Sequence, residues 1–411
     1  MGSLVDRYDA LFIDLDGVVY RGDRPVAGAV KALPEVRGRG ARILFLTNNS
    51  SRTPEDVAGK LEGLGIAARP EEVLTSGVAT ASMLGREGWR GRTAFVIGER
   101  GIREALEHVG IRILDGEAGR ADLVVVGWDR SVDYPKLRTA ALLVQRGARL
   151  VATNADASYP APDGLWPGAG AILAAVTTTT GATPTVVGKP ARPLFEEAAE
   201  LTGATHPLMI GDRLDTDVSG AYGAGWDSLL VFTGASQPSD LLRAEHVPTY
   251  VGDDLSAVLR DPPPARFRPA GPTDVPDIRA LLESAGLSAA GVERRLDQTV
   301  VCPGRAEGAD GEVVATACLQ QIEEFGILRS VAVHEDHRGL GLGILAVAAA
   351  VVTARDRGLS HVSLFTERAA GFFEKLGFRR SDRADLPEPV RSSEHAVEEC
   401  AASAAPMTLV L

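Results

Sequence analysis

Short apolar runs alternate with longer amphipathic stretches through the first 260 residues of the chain. The runs at 11–15 and 41–46 read as strands. The stretches at 26–39 and 54–64 read as helices, the second closed by Gly65. Such alternation predicts βαβ units and a parallel sheet. A second α/β unit starts near residue 88, with strand-like runs at 93–97, 123–126 and 149–153. Helical patterns lie at 102–108 and 135–145, and a glycine-rich entry into an apolar helix spans 164–180. The first style resumes at 185–187 and continues through 207–210 and 228–232. The expected organisation is therefore a core of residues 1–87 and 183–260 interrupted by an inserted module at 88–182.

A stiff connector follows at 261–268, opened by Asp261-Pro262-Pro263-Pro264. The remainder, 266–411, reads as a separate unit. It has a helix at 275–285, an edge-like run at 312–318 and a strand at 327–333. A glycine turn, a long Ala/Val helix, a run at 363–365 and a helix at 369–376 come next, while the Ala-, Ser- and Glu-rich tail from 384 is assigned no element.

Composition narrows the function classes. The chain has 411 residues, 45% hydrophobic and 24% charged, with a net charge of −12. Those are globular values for two or three domains. The acidic balance argues against nucleic acid and anionic membrane as partners. It leaves small anions open, because a local cation or helix N-terminus overrides the net sign. Cys302, Cys318 and Cys400 form no CxxC and no disulfide framework. With no apolar leader after Met1 and no membrane-length apolar run, a cytoplasmic location is expected.

The chemistry gathers at strand ends. Asp14 and Asp16 leave the first run in Asp14-Leu15-Asp16-Gly17. Positions i and i+2 of an extended segment face the same way, so both acids face one spot at the edge where open α/β sheets bind ligands. A hard cation such as magnesium relieves that repulsion. Thr47 follows the second run in Leu46-Thr47-Asn48-Asn49. Lys189 sits in Gly188-Lys189-Pro190. Asp212 and Asp217 sit in Gly211-Asp212-Arg213-Leu214-Asp215-Thr216-Asp217. Carboxylate, hydroxyl, ammonium and carboxylate at one sheet edge suit phosphoryl transfer.

These segments resemble the four motifs of the haloacid dehalogenase superfamily, and within it the phosphatases with an α/β cap, over roughly residues 8–258. The resemblance implies a Rossmann-like parallel-sheet core with residues 88–182 as the cap. It implies that Asp14 attacks phosphorus and forms an aspartyl-phosphate, and that Asp16 acts as acid and then base. Magnesium is then held by the Asp14 carboxylate, the Asp16 carbonyl and Asp212, with Asp217 in support. Thr47, Asn48 and Lys189 are the implied phosphate-binding residues. A lid of this kind favours a small phosphomonoester. Candidate readers of the leaving group are the segments Gly127-Trp128-Asp129-Arg130 and Ala152-Thr153-Asn154-Ala155-Asp156, with Tyr134.

A second constellation is Val333-His334-Glu335-Asp336-His337-Arg338-Gly339-Leu340-Gly341-Leu342-Gly343. Its histidine spacing is not that of an HExxH zinc site. Glycines before a helix bring backbone N–H groups close to a diphosphate. Arg338 to Gly343 resembles the acetyl-CoA loop of the GCN5-related N-acetyltransferases. Phe372-Phe373-Glu374-Lys375-Leu376-Gly377-Phe378 and Arg266-Phe267-Arg268-Pro269-Ala270 resemble other parts of that family. The resemblance implies an α+β acetyltransferase-like domain and acyl-CoA contacts at Val333, Arg338, Gly339, Gly341 and Gly343. Many relatives place a tyrosine where this chain has Phe373, and a phenyl ring donates no proton. Acyl transfer, acyl-CoA sensing and a structural role therefore all stand as readings of this domain.

Fusion of the two families resembles actinobacterial glycerol-3-phosphate phosphatases. The expected substrate is thus glycerol 3-phosphate, with 2-phosphoglycolate as the alternative. A homodimer is a further expectation.

Overall fold

The computed structural model describes residues 2–161, 163–304, 312–399 and 403–411; Cys400 lies outside them. The chain forms two compact units, residues 2–234 with 254–259, and residues 235–253 with 260–411.

In the first unit, Asp227–Val231, Pro207–Gly211, Ala10–Asp14, Ile43–Thr47 and Val73–Thr75 lie side by side in that order, all parallel. Their residues are almost wholly buried, as expected for strands covered on both faces. Phe12, Phe45 and Phe195 are fully buried. Trp226 packs on Phe12 and Phe195 with ring centroids 5.2 and 5.6 Å apart. From Ala10–Asp14 the chain winds outward through Ile43–Thr47 to Val73–Thr75. It later builds Pro207–Gly211 and Asp227–Val231 on the opposite side. The switch point is at the end of the first strand, where the registers set Ile13 beside Ile210 and Asp14 beside Leu46.

The inserted sheet is parallel too, in the order Thr185–Val186, Arg149–Ala152, Leu123–Val126, Thr93–Ile97, Arg112–Leu114. One expectation is corrected here. The run at 185–187 does not resume the core; Thr185 and Val186 pair with Val151 and Ala152 as the edge of the inserted sheet. A run this short carries no pattern that assigns it to one sheet rather than another. A second correction concerns 164–180. An antiparallel hairpin, Ser158–Ala161 with Gly164–Pro167, precedes the helix Ala169–Thr180.

The second unit holds a seven-stranded sheet in the order Arg268–Pro269, Thr299–Pro303, Val313–Ile322, Phe325–Val333, His361–Thr366, Ala405–Val410, Arg379–Arg380. The run expected at an edge, 312–318, is interior, with Thr299–Pro303 on one side and Phe325–Val333 on the other. Thr299–Pro303 is a short β-branched run ending in proline, assigned no element from sequence. The tail contributes Ala405–Val410, antiparallel to His361–Thr366. The expected connector is not free chain: Pro262 and Pro263 are buried and the Ala265 N–H donates to the Thr249 carbonyl (3.2 Å). Helix Leu342–Asp356 packs on the turn Pro238–Arg243 and on Tyr250–Gly252. Residues 235–253 belong to the same compact unit as that helix. Among the described residues no helix is long and apolar enough to cross a membrane.

Helix Ala27–Gly38 is tied to the core by Arg37, whose guanidinium grips both oxygens of the buried Glu72 carboxylate (2.6 and 2.9 Å). Burial opposes ionisation of Glu72, but the Arg37 fork and the Arg69 N–H outweigh it and hold its pKa down to about 2. A depressed carboxyl contributes stability above its ordinary titration range and loses it as pH falls through the folded value. Glu72→Gln is therefore expected to lower stability by about 2 kcal/mol at neutral pH. The gap from wild type should close as pH falls toward 2, read from urea midpoints across pH.

Candidate active site

Asp14 ends the first strand. Asp212 follows Pro207–Gly211, and Asp217 lies in the π-helical turn Leu214–Val218. One carboxylate oxygen from each of these three aspartates falls within 4.8 Å of the others. Lys189 reaches in from the segment after the inserted sheet. Its ammonium pairs with Asp14 and, at 2.7 Å, with Asp217. Lys189, Asp212 and Asp217 are all buried.

The backbone makes room for these side chains. Gly17 has φ +92°, and a Cβ there would lie 2.3 Å from an Asp212 oxygen. Gly234 is equally constrained, its Cβ position being 1.8 Å from the same oxygen. Thr233 donates its hydroxyl to the Gly17 carbonyl (2.6 Å), which fixes the first loop against the last.

Charge does not balance within the protein. Burial pushes the Asp14 pKa up, Lys189 pulls it down, and Asp217 and Asp212 push it up again, with a net rise. Burial pulls Lys189 down, but Asp14 and Asp217 prevail and hold it protonated. Against three buried acids one ammonium leaves an excess of negative charge, which an all-oxygen donor set shares with a hard divalent cation. The residues fit magnesium on that ground.

Asp16 stands outside that three-acid cluster. Its backbone forms a β-bridge with Tyr20, and burial raises its carboxyl pKa while the Lys60 ammonium opposes the rise. The Lys60 ammonium stands 3.7 Å over the Tyr20 ring. Tyr159, from the inserted hairpin, and Arg52 complete this neighbourhood. Tyr20, Arg52, Lys60 and Tyr159 gave no signal in the sequence, because nothing in their spacing connects them to Asp16.

Thr47 is buried at its strand end, and its hydroxyl accepts from the Asn49 N–H (3.1 Å). Asn48 has a positioning role as well. Its side chain is a brace: Oδ1 accepts from the Lys189 N–H (2.8 Å), while Nδ2 donates to the Lys189 carbonyl and to Asp156 (both 3.0 Å). The side-chain amide thus holds Lys189 by both its N–H and its carbonyl. Asn154 donates to the Asn48 carbonyl (2.7 Å), so the inserted domain secures the same brace. Of the other leaving-group candidates, Asp129 is buried in an ion pair with Lys136 (2.8 Å) and Arg130 pairs with Glu99 (2.8 Å). Tyr134 is exposed.

Comparison with known proteins agrees with this geometry. The haloacid dehalogenase-like hydrolase pattern matches residues 11–112 and the HAD-hydrolase-like pattern matches 186–258. A D-glycerol 3-phosphate phosphatase of Mycobacterium tuberculosis is 40% identical over 263 residues, 64% of this chain and 74% of its own. A 5'-nucleotidase of Bacillus subtilis is 39% identical over 61% of this chain and 96% of its own. The chain belongs to the haloacid dehalogenase-like hydrolase family. It is a phosphatase of that family, a phosphoric monoester hydrolase. The acetyltransferase (GNAT) family pattern matches residues 285–378. A solved glycerol phosphate phosphatase from M. tuberculosis, in complex with magnesium, superposes with a TM-score of 0.72 at 32% identity. It covers 92% of this chain and 99% of its own.

In the GNAT domain of this phosphatase, Phe325–Val333 and His361–Thr366 pair only over Phe325–Ile327 and His361–Ser363. Gly339 and Gly341 take φ +76° and +85°, and Gly341 caps helix Leu342–Asp356. Gly339 faces open space, whereas a Cβ at Gly341 would lie 2.3 Å from Val251. Gly343 is free of backbone crowding, with only Phe372 and Val333 side-chain atoms near its Cβ position. The Val333 carbonyl accepts from the Arg338 guanidinium (3.2 Å). Phe373 is buried between Phe372 and Phe378 and offers no proton. His334 and His337 join no metal-sized cluster among the described residues.

If Asn48 acts by bracing Lys189, Asn48→Ala should lower kcat about 10- to 100-fold with the fold retained. Steady-state kinetics with circular dichroism checks it; an unchanged kcat would remove Asn48 from the site.

Proposed function

We propose that the protein is a magnesium-dependent phosphatase that cleaves a small phosphomonoester through an aspartyl-phosphate on Asp14, with glycerol 3-phosphate as substrate. The observation that carries this reading is the buried meeting of Asp14, Lys189, Asp212 and Asp217. Magnesium would be held by the Asp14 carboxylate, the Asp16 carbonyl and Asp212, and when bound it supplies positive charge beside the phosphoryl oxygens.

In this reading Lys189 and Thr47 bind the phosphoryl oxygens, and Lys189 screens the anionic Asp14 from an anionic ester. An Asp14 oxygen attacks phosphorus and the P–O bond to the leaving group breaks. Asp16, whose pKa burial raises against the opposing Lys60 ammonium, gives its proton to the departing alkoxide. It then takes a proton from the water that hydrolyses the acyl phosphate, which returns Asp14 as carboxylate and releases inorganic phosphate. Asp217 keeps Lys189 aimed. Residues 88–182 close over the site and exclude large leaving groups. Tyr20, Lys60 and Tyr159 face the leaving group beside Asp16.

Glycerol 3-phosphate is favoured by the named activity of the M. tuberculosis relative, whose solved structure spans both units of this chain. 2-Phosphoglycolate is the second candidate. The GNAT domain is read as an acyl-CoA-binding module without transferase chemistry, on the pairing of the Gly339–Gly343 loop with Phe373.

Asp14→Asn should abolish phosphate release, by at least about 10³-fold, with the far-ultraviolet spectrum unchanged. Surviving turnover would remove Asp14 as nucleophile. Against a panel of small phosphate esters, kcat/KM should be highest for glycerol 3-phosphate, vanish with EDTA and return with magnesium. A preference for nucleotides or sugar phosphates would change the substrate but leave the mechanism intact.

A further inference from the structure

The second unit contains a cavity of about 220 Å³ that no role described so far uses. Arg243 enters it from the turn Pro238–Arg243, Arg355 from the end of helix Leu342–Asp356, and Arg379 from the start of Arg379–Arg380. The floor is apolar, formed by Leu242, Leu376 and Leu409. Asp240 also lines the cavity, with its carboxylate accepting the Gln237 N–H (2.7 Å).

The three arginines differ from their neighbours. Arg268, Arg279, Arg380 and Arg391 each hold a carboxylate. Among the described residues, no carboxylate lies within ion-pair distance of Arg243, Arg355 or Arg379, and none of the three donates a side-chain hydrogen bond. In a chain with a net charge of −12, three guanidiniums without ion-pair partners outnumber the carboxylates of Asp240 and Leu411 around one concavity, a local reversal of sign. Such a patch attracts anions despite the global charge. Guanidinium forks match phosphate oxygens two at a time.

We propose that this cavity is a binding site for a small phosphorylated compound, separate from the aspartate site. Three guanidiniums beside an apolar wall suit a phosphate or diphosphate with a short uncharged body against Leu242, Leu376 and Leu409. None of the residues lining it belongs to the catalytic cluster or to the Arg338–Gly343 loop. The site therefore stands whether or not the substrate named above is right.

The test uses inorganic pyrophosphate as probe, titrated calorimetrically into the full chain in EDTA so that metal-dependent binding elsewhere is suppressed. Wild type should bind with a Kd below about 1 mM. Arg355→Met with Arg379→Met should weaken binding at least about tenfold, the equivalent of 1.4 kcal/mol. Arg380→Met, which removes a paired neighbouring cation, should leave binding within about twofold of wild type. Magnesium-restored phosphatase activity and circular dichroism of both variants should match wild type, which excludes misfolding. Absence of saturable binding, or equal weakening by Arg380→Met and by the double variant, would overturn the proposal. Loss of binding on Lys189→Met with retention in the double variant would place the anion in the aspartate site and overturn it as well.

Discussion

The catalytic half of this protein is arranged around one buried electrostatic problem. Asp14, Asp212 and Asp217 come within 4.8 Å of one another, and Lys189 is the ammonium placed among them. Burying like charges is unfavourable unless opposite charge is supplied in good geometry. The fold supplies part of it through Lys189 and leaves the remainder to a cation and to substrate. Many local features follow from this need. Gly17 and Gly234 clear the space around Asp212, Thr233 clamps the first loop to the last, and Asn48 holds the lysine segment by both its N–H and its carbonyl. A site that carries this much charge is destabilising for the fold, and a large apolar sheet around Phe12, Phe45 and Phe195 offsets it.

The inserted domain does more than cover the site. Asn154 and Asp156 hydrogen-bond to Asn48, so the segment after Arg149–Ala152 shares in positioning Lys189. Tyr159 brings a phenol from the inserted hairpin toward Asp16. The cap thus touches the chemistry at two points, one through the lysine brace and one through the acid. The same short stretch of chain, 154–159, supplies both contacts.

The GNAT domain presents a different balance. Its helix Leu342–Asp356 is capped by Gly341, and Phe373 is packed between Phe372 and Phe378, so its ring supplies no hydroxyl at that place.

The strand ends that carry Asp14, Thr47 and Asp212 were legible from the chain alone. Each follows an apolar run long enough to require burial, and the i, i+2 spacing of Asp14 and Asp16 is a local property of extended backbone. The glycine loop before the Ala/Val helix was legible for the same reason. Other features depended on contacts between segments far apart in sequence. Thr185–Val186 joined the inserted sheet because a run of two residues has no periodicity to assign it. Residues 312–318 proved interior because Thr299–Pro303, a run ending in proline, supplied the neighbour. Asn48 became a brace for Lys189, 141 positions away, and Tyr20, Lys60 and Tyr159 gathered beside Asp16. Local pattern determines which segments must be buried and which residues they deliver to a sheet edge. Which side chains then touch is decided by packing between distant segments, and no spacing within the sequence encodes that.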